Sequence, residues 1–237
     1  MAAPKPIFLL DSHEHFKPLD VGSAESVNGK LVDSHGHQTD DPIVLADLPA
    51  AGGRMNFPAD PESYEPELET QFGNVGYHRV VEDGGLQWHQ YWLWYIYNPK
   101  VFVHIAGQHE GDWEFVQIGC VGETPVCMTN SQHDSGSGRM WWDVSKSDDG
   151  RPLVYVAVGS HANYFIPVDD IPEISDDADG NGARLDSLEW HEFGDWATWP
   201  GHWGNSTGAG QSPRSPGCQG ARWSAPAKYH SFARGQR

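Results

Sequence analysis

Short runs of β-branched and aromatic residues, each closed by Gly, Pro, Asn or Asp, recur along the chain, which is the pattern of strands joined by turns. They predict strands near 6–10, 42–46, 87–97, 101–105, 112–120, 125–132 and 152–159. The segment from Leu86 to Asn98, LQWHQYWLWYIYN, is aromatic at odd and even positions alike. Alternate side chains of a strand point to opposite faces, so this segment belongs in the middle of a sheet covered on both sides. Helical periodicity is scarce. In 184–196, RLDSLEWHEFGDW, Leu185, Leu188 and Trp190 or His191 fall near the helical interval, yet the segment reads equally well as loop. No internal repeat is visible.

From 198 onward the chain turns Gly-, Pro- and Ser-rich but keeps indoles at Trp199, Trp203 and Trp223. A solvated tail has no use for such rings, so 198–237 is expected to be an irregular segment pinned against the domain. The expected fold is all-β: one antiparallel β-sandwich domain over 1–237, with long irregular loops and this wrapped C-terminal segment.

Composition narrows the possible functions. With 237 residues and 38% hydrophobic content, one large all-β domain is affordable, and 11 Trp beside 27 Gly and 17 Pro describe a turn-rich globular chain. The formal charge of −18 opposes binding to nucleic acid or anionic headgroups, which depends on Lys and Arg. Nucleic acid is therefore not an expected partner. No apolar run is long enough for a transmembrane helix, and the start, MAAPKPIFLLDSHEHF, has only a four-residue apolar run, so the chain as it stands is expected to be cytoplasmic. Cys120, Cys127 and Cys218 fit neither a zinc motif nor a disulfide framework. Cys120 and Cys127 could face each other across a hairpin, but buried thiols are the expectation.

The candidate chemistry centres on GQHEGDWEFVQIGC, Gly107 to Cys120. In a strand Asp112 and Glu114 share one face, while Gly107 and Gly111 let the chain bend His109 back towards them. Two carboxylates held together repel, and a cation between them relieves the repulsion. Mostly oxygen donors with one imidazole suit Mg²⁺, Ca²⁺ or Mn²⁺. The competing reading is a polar strand end with a loop histidine. After the strand PLVYVAVGSHANYF, His161 sits in a polar turn with Gly159, Ser160 and Asn163, either as an orienting partner or proton carrier for the site or as a hydrogen-bonded core histidine. His133 in NSQHDSGSG is a second candidate proton carrier. Asp177, Asp179 and Asn181, followed by Gly182, match the opening of a calcium loop. The match fails at its last position, where Leu188 stands and Glu189 comes one residue late, so a solvated acidic turn is the alternative.

YWLWYIYN, HEGDWE and GSHANYF, in this order, resemble the vacuolar protein sorting-associated protein 62 family, with HFKPLDV, NSQHDSG, GHWGN and SPRSPG extending the resemblance over most of the chain. HEGDWE is also similar to the His-Arg-His-Asp-Trp-Glu core of the necrosis- and ethylene-inducing peptide-like proteins, secreted cytolysins with a β-sandwich fold. In that family the first His, the Asp and the Glu surround a divalent cation together with an earlier Asp. The resemblance implies His109, Asp112 and Glu114 as ligands. For the earlier Asp it offers only Asn98 in YIYNPK, and Gly111 replaces the second His of the core.

Two function classes follow. The first is a divalent-metal-dependent enzyme, a hydrolase or lyase acting on a small oxygen-rich or terpenoid-like substrate, with His161 or His133 carrying the proton. The second is a metal-dependent, membrane-active protein that binds a lipid or glycan headgroup, as the cytolysin resemblance implies.

Overall fold

A computed structural model describes residues 3–99, 101–102, 105–133, 135–168, 176–206 and 211–235. The fold is mostly β and has the sandwich form the sequence predicts. Its main strands are β1 (Ile7–Leu10), β2 (Val75–Asp83), β3 (Leu86–Asn98), β4 (His109–Val121), β5 (Thr124–Gln132), β6 (Ser135–Met140), β7 (Leu153–Val156), β8 (Asn163–Tyr164), β9 (Arg184–Leu185) and β10 (Glu189–His191). The larger sheet runs β6-β5-β4-β3-β2-β10 and the smaller one β8-β7-β1-β9. Most pairings are antiparallel, but β1 with β7 and β2 with β10 are parallel, a departure from the purely antiparallel expectation.

The aromatic segment 86–98 is a central strand, as predicted. Its neighbour β4 sets Leu93 opposite Glu114, Tyr95 opposite Asp112 and Asn98 opposite His109. Tyr91, Leu93 and Tyr95, with Val116 and Ile118, pack into the same core as Phe8, Leu10, Val154 and Val156 of the smaller sheet. The opposite face carries Trp92, Trp94, Trp113 and Phe115, and the C-terminal segment covers it. Trp92 stacks on Phe115 with centroids 4.2 Å apart, and Trp203 meets Trp94 at 4.8 Å and Trp113 at 5.5 Å.

The wrapped segment is pinned by Trp199 and Trp203, both buried, and by half-buried Trp223. It is not irregular throughout, because Pro226–Gly235 forms a helix that buries Tyr229, His230 and Ala233. Proline at the first helical position and the i, i+4 pair Tyr229 and Ala233 are the local reasons. A second unforeseen helix spans Pro61–Phe72. These are α1 (Pro61–Phe72) and α2 (Pro226–Gly235).

Other boundaries differ from expectation. The strand expected at 42–46 lies at Gln38–Pro42 and is followed by a 3₁₀ turn at Leu45–Asp47; Ile43 is buried without belonging to the ladder. The strand expected to reach 159 ends at Val156, since Gly159 (φ +71°) and His161 (φ +53°) turn the chain. The expectation at 101–105 falls partly outside the described residues; Val101–Phe102 pairs with Ile105–Ala106. Residues 184–196 form β9, β10 and the start of a 3₁₀ turn. All three cysteines are free thiols, with Cys120 and Cys127 buried. No helix among the described residues is long and apolar enough to cross a membrane.

Candidate metal-binding cavity

Asn98, His109, Asp112, Glu114 and His133 all line one open cavity of about 770 Å³ at the ends of β3, β4 and β5. Strict alternation along β4 would separate His109 from Asp112. Gly111 breaks the alternation with φ +65°, and the backbone of Trp203 comes so close that a Cβ there would lie 2.2 Å from its carbonyl oxygen. The glycine thus serves two ends at once: it turns the strand start and admits the C-terminal segment.

Each carboxylate is held from behind. Asp112 Oδ2 accepts a hydrogen bond from His161 Nδ1 at 2.9 Å, and Asn98 Nδ2 stands 3.5 Å from the same oxygen. Glu114 accepts a short hydrogen bond from Ser131 Oγ, which itself accepts one from the Phe115 amide at 2.8 Å. Burial, and then the charge of Asp112, push the Glu114 carboxyl up to about 8. His109 Nδ1 donates to the Gly111 carbonyl at 2.7 Å. That bond fixes the tautomer and leaves the lone pair on Nε2, as a metal-ligating imidazole requires.

His161 is fully buried. Its Nδ1 binds Asp112, its Nε2 lies 3.7 Å from Glu14 Oε2, and its ring stacks on Tyr95. Burial alone would lower its pKa, but the charge of Glu14 and the hydrogen bond to Asp112 hold it raised at about 9. The Glu14 carboxyl is held below its ordinary value: burial works against this, and the charge of His161 overrides it. His161 thus meets Asp112 from behind, buried as a core histidine would be, and is not among the residues that line the cavity.

His133 is different. It is half-exposed on the cavity wall, and its Nε2 lies 2.8 Å from Asp176 Oδ2. Asp176 also accepts from Ser160 Oγ at 2.6 Å and Tyr164 OH at 2.7 Å. Burial lowers the His133 pKa, but the bond to Asp176 and the charges of Asp176, Glu114 and Asp112 raise it to about 9.

The second predicted cluster is not part of this cavity. Asp179 Oδ1 accepts the amides of Ser12 and Asn181, both at 2.8 Å, and Oδ2 accepts Ser12 Oγ at 2.7 Å, so its oxygens are used in tying a loop to the N-terminal segment. Asp177 and Asn181 flank that loop without lining the cavity. Sequence reasoning missed Glu14, Ser131 and Asp176, which support the site from remote segments. The only available signals were the charge of DSHEHF and the acidic run itself.

The donors fit a hard or borderline divalent cation: two buried carboxylates, an amide oxygen and one imidazole nitrogen in the right tautomer. Buried polar atoms nearby, Asn163 Oδ1, Tyr95 OH and both side-chain polar atoms of Asn130, have no hydrogen-bond partner among the described residues. Among the described residues, no three His, Cys, Asp or Glu side chains already close around one point.

Fold and site together define a mostly-β protein with a carboxylate–imidazole cavity at its strand ends. No known family profile matches the chain. TDA6 of Saccharomyces cerevisiae, a protein named for vacuolar protein sorting, is 26% identical over an alignment of 294 positions that takes in 92% of this chain and 62% of the yeast protein. The chain therefore spans less than two thirds of that relative's length, and it is a distant homologue of it. Among solved structures, NLPPya in complex with glucosamine matches 80% of this chain and 70% of its own at 15% identity and a TM-score of 0.42. Necrosis and Ethylene inducing Protein 2, from the causal agent of cocoa's Witches Broom disease, matches 73% of this chain and 75% of its own at 16% identity and a TM-score of 0.38. The strand order and register of the chain define its fold without them.

Proposed function

We propose that the cavity holds one divalent cation through His109, Asp112 and Glu114, with Asn98 as a further oxygen donor, and that the protein is a cation-dependent hydrolase or lyase. The observation that carries this reading is the shared cavity of His109, Asp112 and Glu114, in which the hydrogen bond of His109 Nδ1 to the Gly111 carbonyl leaves Nε2 as the ring nitrogen for a ligand. A cation held there would supply Lewis-acid polarisation of a substrate oxygen or acidify a bound water. The chain's own residues do the rest. His161 orients Asp112 through its hydrogen bond. His133, backed by Asp176, holds a proton on the cavity wall and can donate it to a leaving oxygen. Ser160, His202, Gln211, Gln219 and Arg222 make the walls polar. This lining favours an oxygen-rich substrate over a terpenoid one.

The same polar walls favour a second reading, in which the cation orders a recognition site for a sugar-bearing headgroup and no bond is broken. The first test is the metal content of the purified protein and of Asp112→Ala and Glu114→Ala, with calorimetric titration of Mg²⁺, Ca²⁺ and Mn²⁺. One equivalent bound by the wild type and lost in both folded variants is expected. Absence of binding at millimolar concentration in the wild type overturns the proposal. Chelator-sensitive turnover of chromogenic esters or glycosides that falls in His133→Gln supports the enzyme; saccharide binding without turnover supports the second reading.

A further inference from the structure

A second cavity, of about 590 Å³, opens between β6, the end of β8 and α2. Arg139 and Arg234 both line it, beside Tyr164, Phe165, Ile166 and Met140. Such a volume is that of a small-molecule site, and arginine beside aromatic and aliphatic walls is the chemistry of an anionic head joined to an apolar body.

The charges make this unusual. The chain carries 33 acidic residues against 15 Lys and Arg, yet neither arginine has a carboxylate at ion-pair distance among the described residues. Arg139 lies over the Phe165 ring, 4.8 Å from its centroid, and donates weakly to the Asp143 carbonyl at 3.4 Å. That leaves most of its fork of donors unused. Asp143, also on the wall, acts electrostatically on Lys146. The helix on one side of the cavity is basic: α2 carries Lys228 and Arg234 and no Asp or Glu. Ile166 on the same wall is 51% exposed.

We propose that this cavity is a binding site for an anionic amphiphile, a carboxylate or phosphate head held by Arg139 and Arg234 with its apolar body against Phe165 and Ile166. The site does not depend on the cation reading of the first cavity. It is joined to that cavity through Tyr164, whose hydroxyl donates to the Asp176 carboxylate that also binds His133.

Calorimetric titration of the full chain with octanoate, 1-octanol and inorganic phosphate tests the proposal, with flotation on phosphatidylserine and phosphatidylcholine vesicles as a second arm. Octanoate is expected to bind saturably, one per chain, and at least about tenfold more tightly than either octanol or phosphate. Arg139→Gln and Arg234→Gln are each expected to weaken it about tenfold with unchanged melting, whereas Lys228→Gln, a charge on the exposed side of α2, leaves it unchanged. If phosphatidylserine vesicles compete, and are released by the same two variants, the anion is a lipid headgroup; if they do not, it is a free amphiphile. Equal binding of octanoate and octanol, wild-type affinity in both arginine variants, or no saturable binding of octanoate overturns the proposal.

Discussion

The imidazole of His161 lies flat on the phenol ring of Tyr95, with centroids 3.7 Å apart and planes 3° from parallel. Tyr95 stands opposite Asp112 in the ladder, so the stack delivers the imidazole to the Asp112 carboxylate. A side chain of the short turn after β7 is thereby fixed against the centre of the larger sheet.

His161→Leu removes the imidazole that lies between two buried carboxylates, Glu14 and Asp112. Breaking a buried pair from one side is expected to cost about 3–5 kcal/mol. Urea unfolding at neutral pH measures it, and a loss within the error of the method would show that His161 is not holding the two together.

Glu114 contributes to how stability of the cation-free protein varies with pH, beside His133 and His161, whose contributions, at raised pKa values, are lost as pH climbs through about 9. Its carboxyl is raised to about 8 in the folded state, so its contribution is fully present below the ordinary glutamate value and is lost as pH climbs through about 8. Melting temperature without cation should fall across that window, and Glu114→Gln should flatten this part of the curve. Added cation should reverse the fall, because it favours the ionised form.

Gly111→Ala meets two obstacles together, a left-handed φ and the Trp203 carbonyl at 2.2 Å from the new Cβ. A destabilisation of at least about 1–3 kcal/mol is expected, together with loss of cation binding as the strand start shifts. Chemical denaturation and calorimetry read the two effects separately.

Trp203→Ala tests how the C-terminal segment is held. The indole is fully buried between Trp94 and Trp113, and its Nε1 donates to Ser215 Oγ at 2.7 Å. A cost of about 3–5 kcal/mol is expected in denaturant unfolding, with early proteolysis of the segment after Trp199.

The central strand was legible from LQWHQYWLWYIYN because two-sided burial leaves a period-free aromatic run that few other environments tolerate. That His109, Asp112 and Glu114 would come to one cavity was legible, because a strand puts neighbours two apart on one face and glycine marks where that rule is broken. Helix α2 was hidden by the Gly- and Pro-rich chain before it, and α1 by its weak amphipathic pattern: of its twelve residues only Glu65 and Leu68 are buried. The parallel pairing of β1 with β7 was equally out of reach, since it joins segments more than a hundred residues apart, and no local pattern encodes a partner.

Sequence alone determined the β class, the central position of β3 and the ring-pinned C-terminal segment, and it named the candidate donors, because each follows from side-chain periodicity or residue chemistry within one segment. Tertiary structure decided which groups serve those donors. Glu14 and His161 come behind Asp112, Ser131 behind Glu114, and Asp176 behind His133, from segments distant in the chain. Burial, tautomer and pKa arise from such neighbours, and neighbours are fixed only when the sheets close on one another.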